Sequence, residues 1–224
     1  MNNKIMISLP SRITPELTAF LATIHLNQTE VFFNGNTDSI RYIYNLLKEK
    51  HIGIYSLHMQ KDLFYMPKSY IDKYLRDARK ISETFGCSLL FHPNGITEDY
   101  IYKLQSFPGK VAFENTTGSY IQLKPLLEKS LNFYLVYDIA HARYFHDSMN
   151  CIDESKMLYI HIQGYNGENT VLLNESDEEH YKMLYEIASR YNCPFMLENS
   201  YKSYGEIILD LKKLRFTMNR CVAK

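Results

Sequence analysis

Eight short apolar runs punctuate the chain, and longer amphipathic stretches separate them. The runs are Ile5 to Leu9, Glu30 to Phe33, Ile52 to Leu57, Ser88 to Phe91, Lys110 to Phe113, Phe133 to Tyr137, Met157 to Ile160 and Pro194 to Leu197. They are nearly continuous in apolar character rather than alternating, which suits strands buried on both faces of a parallel sheet. Helical signals lie between them. Thr14-Pro15 offers a cap followed by proline at the first helical position. Thr97-Glu98-Asp99 offers a cap with acids in the first turn, and Ser176 to Glu179 has the spacing of a capping box. The stretch from Pro67 to Phe85 places Tyr70, Ile71, Tyr74, Leu75, Ala78 and Ile81 on one helical face. The segment after His141, Arg143 to Asp147, has no clear amphipathic period.

Eight strands alternating with eight helices predict a single (β/α)8 barrel over residues 1–224, with the active site at the C-terminal ends of the strands. No linker or low-complexity segment divides the chain. An open doubly wound sheet is the competitor. It usually carries a glycine-rich first turn, whereas Leu9-Pro-Ser-Arg12 follows the first run here. There is neither a P-loop sequence nor a Gly-x-Ser-x-Gly elbow.

The ends of the runs carry the chemistry. The third run is followed by His58, the fourth by His92, the fifth by Glu114, the sixth by Asp138, the seventh by His161 and the eighth by Glu198. A single acid at such a place caps the next helix, and a single histidine is an ordinary hydrogen-bonded residue. Six of them converging on one barrel mouth would bury several charges without partners. A bound divalent cation removes that cost by taking imidazole nitrogens and carboxylate oxygens as ligands.

Composition narrows the partners. With 25 Lys+Arg against 25 Asp+Glu, the chain lacks the basic excess of a protein that grips nucleic acid over a broad face. No apolar run is long enough to span a membrane, and the start reads as a strand rather than a signal peptide. Cys87, Cys151, Cys193 and Cys221 are scattered, with no Cys-x-x-Cys pair, and read as reduced thiols. The expected setting is cytoplasmic and the expected partner a small molecule, with a homodimer left open.

The segments Val111-Ala-Phe-Glu114-Asn115-Thr116, Leu135-Val-Tyr-Asp138-Ile-Ala-His141, Leu158-Tyr-Ile-His161 and Phe195-Met-Leu-Glu198 resemble the strand-end motifs of the xylose isomerase-like TIM-barrel superfamily. That superfamily includes sugar isomerases and epimerases as well as apurinic endonucleases of the endonuclease IV type. The resemblance implies that Glu114, Asp138, His161 and Glu198 hold one metal. It further implies that His58 and His92, with Glu114 as a bridge, hold a second, as in the endonuclease group. Two ions per chain are then expected, Zn2+ or Mn2+, with Co2+ or Mg2+ as alternatives. The endonucleases' third site needs an Asp-x-His, and this chain has Glu168 and Thr170 in that region, which argues against DNA repair. His141 is expected to contact substrate or to support a ligand.

Two mechanisms fit this set. Hydrolysis of a phosphoester or similar bond would use the bridged pair to make hydroxide at neutral pH. Lys61 and Arg143 are then the candidate phosphate contacts. Isomerisation or epimerisation of a sugar or sugar phosphate would use one metal, with Glu114 and Glu198 as acid and base. The ketose epimerases place an Arg six residues after the metal His and a Glu six after the first metal Glu, where this chain has Gly167 and Tyr120. His58 and His92 tip the sequence reading toward a dinuclear hydrolase. Tyr120, Tyr165 and Phe64 are candidate stacking residues for a sugar or base. Met59 and Met66 flank the His58 loop as wall or packing residues. Glu168 and Tyr165 are the remaining substrate candidates.

Overall fold

The computed structural model describes residues 5–10, 14–147, 151–198 and 203–222, with the backbone alone for 219–222. The start of the chain, Ser11-Arg12 and the Cys221 side chain lie outside the described residues. Seven strands come first: β1 Ile5–Leu9, β2 Gln28–Phe33, β3 Gly53–Met59, β4 Ser88–Phe91, β5 Val111–Glu114, β6 Phe133–Asp138 and β7 Met157–Ile162. A hairpin of β8 Gly164–Tyr165 and β9 Thr170–Val171 follows, and β10 Phe195–Leu197 completes the set. β1 to β7 and β10 close into a parallel barrel in which β10 lies between β7 and β1. All eight predicted runs are barrel strands.

The helices α1 Pro15–Thr23, α2 Thr37–Glu49, α3 Lys68–Phe85, α4 Glu98–Gln105, α5 Tyr120–Leu127, α6 Ile139–Tyr144, α7 Glu178–Arg190 and α8 Tyr204–Val222 alternate with these strands. Residues facing the helices, such as Val31, Phe33, Leu57, Met59, Phe91, Phe113 and Phe195, belong to one large apolar cluster. A second cluster inside the barrel contains Met6, Leu90, Ala112, Val136, Leu158, Tyr159 and Met196. Strand side chains alternate. Leu90, Ala112, Val136, Tyr159 and Met196 each precede a site residue by two positions and so form the layer beneath it.

The helix starts follow the sequence signals with two exceptions. Thr14 accepts from Leu17 N with Pro15 at the first position of α1. Thr97 caps α4 without a side-chain hydrogen bond, beside Glu98 and Asp99. The expected capping box at Ser176 is not formed: Asp177 caps α7 by accepting from His180 N, and Ser176 Oγ accepts from Tyr165 N at 3.1 Å. Along α3, Ile71, Tyr74, Leu75, Ala78 and Ile81 are buried as expected, while Tyr70 turns outward and donates to Gln60. The segment after His141 is not where α6 begins. That helix starts directly after β6, because Asp138 caps it through His141 N at 2.8 Å.

The stretch from Gly164 to Glu175 is organised around the hairpin. Asn166 Oδ1 accepts from Glu168 N and Asn169 N, and Gly167 takes φ +97°, so the Asn-Gly pair makes the turn. Gly164 is required by close approach, since a Cβ there would meet Leu172 O at 2.3 Å.

Candidate functional site

The six strand-end residues meet at one end of the barrel. His58, His92, Glu114, Asp138 and His161 are buried, and the Glu198 side chain is 22% exposed. Among the described residues, three groups of donor atoms lie close enough to hold a cation: Glu114, Asp138, His161 and Glu198; His58, His92 and Glu114; and Glu30, His58, His161 and Glu198. The first two are the sets drawn from the sequence. Glu30 is an addition, because the sequence reading passed over it as the first residue of an apolar run. It lies in the body of β2, level with Ser8 on β1 and Ser56 on β3. The available signal was that row of polar residues within otherwise apolar strands.

The distances divide the site into two lobes. His161 Nδ1 lies 2.7 Å from Glu198 Oε2 and 3.2 Å from Glu114 Oε1. His58 Nε2 lies 2.8 Å from His92 Nε2, which is 3.0 Å from Glu114 Oε2. Glu114 thus offers one oxygen to each lobe. Its buried Oε2 accepts no well-aligned hydrogen bond despite these neighbours. Two imidazole nitrogens facing each other beside an unsatisfied carboxylate oxygen suit a shared cation. The donor set, imidazole and carboxylate without thiolate, suits Mn2+, Co2+, Mg2+ or Zn2+.

Asp138 is held from several sides. Its Oδ1 accepts from His141 N, and its Oδ2 accepts from Gln163 Nε2 at 2.6 Å. Asn115 clasps its backbone in both directions, with Asp138 N to Asn115 Oδ1 at 2.7 Å and Asn115 Nδ2 to Asp138 O at 3.1 Å. Gln163 also escaped the sequence reading, since a lone glutamine after a strand carries no distinctive signal.

The electrostatics follow from four carboxylates packed against three buried imidazoles. Burial opposes ionisation of Glu114, but His161 and His92 hold its carboxyl well below the usual range. Burial disfavours the imidazolium of His58, yet Glu198, Glu30 and Glu114 together raise its pKa to about 9. The same three acids push His161 up despite its burial. Burial raises Asp138, with His141 acting against the shift and Glu114 adding to it. Positive charge is therefore favoured at this spot, and a divalent cation supplies it more compactly than imidazolium protons do.

A cavity of about 1130 Å³ opens above the cluster. Its described lining includes His58, His92, Glu114, His141 and Glu198, the aromatic rings of Phe32, Tyr144, Tyr165 and Tyr204, and the polar groups of Lys61, Glu168 and Thr170. His141 Nε2 stands 4.0 Å from Glu114 Oε1. Lys61, Glu168 and Tyr165, the substrate candidates of the sequence, all line this cavity. Arg143 does not line the cavity. Its guanidinium is taken up by Asp177 at 2.5 Å and Glu179 at 2.9 Å and sits over the Tyr165 ring. Tyr120 is buried at the start of α5, where its hydroxyl accepts from Asp153 N. Phe64 packs on Phe91 and Tyr100. Neither reaches the cavity as a stacking residue. Met59 is core, and Met66 is a surface residue.

The closed parallel barrel is a fold shared with solved structures of xylose isomerase-like TIM-barrel proteins and sugar epimerases. A xylose isomerase domain containing protein from Salmonella typhimurium LT2 matches with a TM-score of 0.74 at 14% identity, over 97% of this chain and 99% of that one. A xylose isomerase-like TIM barrel protein from Mycobacterium smegmatis, in complex with magnesium, matches with a TM-score of 0.64 at 11% identity over 98% of both chains. D-allulose 3-epimerase from Methylomonas sp., in complex with D-allulose, matches with a TM-score of 0.60 at 13% identity, over 94% of this chain and 90% of that one. No protein-family model matches the sequence, and no curated protein matches it. Among the described residues no helix is long and apolar enough to cross a membrane.

Proposed function

We propose that this chain is a divalent-metal-dependent isomerase or epimerase acting on a ketose or a related hydroxy-carbonyl sugar. The carrying observation is the group Glu114, Asp138, His161 and Glu198 beneath the cavity, with two of its carboxylates, Glu114 and Glu198, also on the cavity wall. This departs from the hydrolase that His58 and His92 favoured in the sequence, and the shared fold of a sugar epimerase supports the change.

A cation held by the four residues supplies Lewis acidity that polarises a substrate carbonyl and acidifies the adjacent C–H. Glu114 and Glu198 come from β5 and from the end of β10, strands separated by β6 and β7 in the barrel. One of them withdraws the proton and the other returns it on the opposite face. His141, at the cavity wall, hydrogen-bonds a substrate hydroxyl. Phe32, Tyr144, Tyr165 and Tyr204 offer ring faces to the C–H surface of a sugar. Lys61 lines the cavity, whereas Arg143 is occupied by two acids. Gly167 turns the hairpin and Tyr120 is buried, so sugar recognition falls to other wall residues, with Glu168 and Tyr165 our candidates.

The test is proton exchange. Protein loaded with Mn2+ or Co2+ is incubated in D2O with a panel of ketopentoses and ketohexoses, read by NMR. Deuterium is expected beside the carbonyl of at least one, with loss on chelation and in Glu114→Gln and Glu198→Gln. Absence of exchange across the panel contradicts the proposal. A second reading, two-ion hydrolysis, is favoured by the His58, His92 and Glu114 group alone. Turnover of an aryl phosphodiester without ketose exchange selects it.

A further inference from the structure

Glu30 lies beneath both lobes and is completely enclosed. Its Oε1 accepts from Ser8 Oγ at 2.9 Å and faces His58 Nδ1 at 3.2 Å. Its Oε2 accepts from Tyr159 Oη at 2.5 Å and faces His161 Nε2 at 3.3 Å. Tyr159 Oη is also 3.1 Å from Ser56 Oγ. Each carboxylate oxygen therefore serves one hydroxyl and one imidazole.

The two imidazoles are met through opposite nitrogens. His58 turns Nδ1 to Glu30 at 3.2 Å, with Glu198 Oε1 farther off at 3.5 Å, and presents Nε2 to His92 and Glu114. His161 turns Nε2 to Glu30 and presents Nδ1 to Glu114 and Glu198. An ionised carboxylate only accepts, so the nitrogen facing it must carry the ring proton, and the other must keep its lone pair. Hydroxyl donation from Ser8 to one oxygen and from Tyr159 to the other leaves the Glu30 carboxylate as the acceptor toward both rings.

The backbone is shaped for this arrangement. Two register irregularities occur in the barrel's described pairings. One lies between Thr29 and Glu30, so that Glu30 pairs with Ser56 rather than Tyr55. The other lies between Leu135 and Val136, so that Val136 pairs with Tyr159 rather than Leu158. Bulges re-aim side chains, and these two fall at the carboxylate and at its tyrosine donor.

We infer that Glu30 is a positioning residue for both lobes of the cation site, one carboxylate that fixes opposite tautomers in His58 and His161 so that each offers a lone pair to the cation. The inference rests on cation binding at the cluster and not on which sugar is used. Such partners of metal-ligating histidines typically contribute 10- to 100-fold in metal affinity.

Glu30→Gln tests it while keeping the shape. A glutamine has one acceptor oxygen and one amide donor, so it cannot accept from both imidazoles. In chelator competition with Zn2+, Glu30→Gln is expected to weaken binding by roughly 10-fold or more. Unchanged affinity in a folded Glu30→Gln variant overturns the inference. A second readout needs no variant. In Zn2+-loaded protein with 15N-labelled histidine, long-range 1H–15N spectra should show His58 bound through Nε2 with its proton on Nδ1, and His161 bound through Nδ1 with its proton on Nε2. Both rings bound through the same nitrogen, or His58 unshifted by zinc, overturns it even if Glu30→Gln does not fold. Failure of the wild-type protein to bind zinc at all would instead overturn the cation-site reading on which the inference stands.

Discussion

Individual residues at the barrel mouth are charged, buried and crowded, and that combination determines how they respond to change. Glu114 contributes an oxygen to each lobe. Glu114→Gln removes that charge while the histidines stay. It is expected to lower the ions bound per chain, read by elemental analysis, and to reduce any turnover by at least 100-fold. His180, by contrast, lies outside the cluster. It is fully buried on α7, and neither ring nitrogen makes a well-formed hydrogen bond. Burial, with Arg143 nearby, lowers its pKa to about 4, against which the Gln163 backbone and then Asp177 act. Its folded value lies below its unfolded value, so the unfolded chain takes up the proton first. The stability from the neutral buried ring is full above about pH 6.5 and declines as pH falls toward about 4. Denaturant midpoints measured from pH 7 down to 4.5 should fall, by a stability loss on the order of 2 kcal/mol. His180→Leu should flatten that part of the profile, and an unchanged slope would contradict the assignment.

At the scale of elements, the barrel strands deliver the acids and histidines of the cluster, and residues just beyond the strands hold them in place. Asn115, directly after β5, clasps the backbone of Asp138 at the end of β6 and is 1% exposed. Asn115→Ala leaves a buried N–H and C=O without partners. A loss of about 1–3 kcal/mol in unfolding free energy is expected, with weaker metal binding because Asp138 loses its support. Calorimetry and chelator competition on the same variant check both effects. These elements were largely legible in the sequence. Strands buried on both faces read as apolar runs, and the ligands stand out because polarity resumes where each run ends. Glu30 and Tyr159 were not legible in the same way, because they sit inside their strands, where charge or hydroxyl is diluted by apolar neighbours. The Ser176 signal failed because a second acceptor, Asp177, lies one residue on, and Ser176 was needed at Tyr165 N. Arg143 looked available for phosphate because its two acid partners lie more than thirty residues away in sequence. The Asn-Gly turn at 166–167 was a usable hairpin signal that its short flanking strands obscured.

Taken as a whole molecule, the barrel concentrates buried negative charge at one end and builds its apolar core elsewhere. Four carboxylates, Glu30, Glu114, Asp138 and Glu198, converge there. That arrangement costs stability without a cation and gains it with one, since a ligand that binds only the folded state stabilises it. At about 100 times its Kd, a cation should add about 2.7 kcal/mol, which for a chain of this size is a rise in Tm of roughly 5–10 °C. Thermal scans with EDTA and with added Mn2+ measure this. An unchanged Tm at saturating Mn2+ would contradict the charge argument.

The most direct test of the account is the metal content of the purified protein after reconstitution with Mn2+ or Zn2+ and removal of free ions. At least one ion per chain is predicted, retained in a His58→Ala/His92→Ala variant and lost in an Asp138→Ala/Glu198→Ala variant. A folded wild-type protein that holds no ion after reconstitution would contradict the central claim.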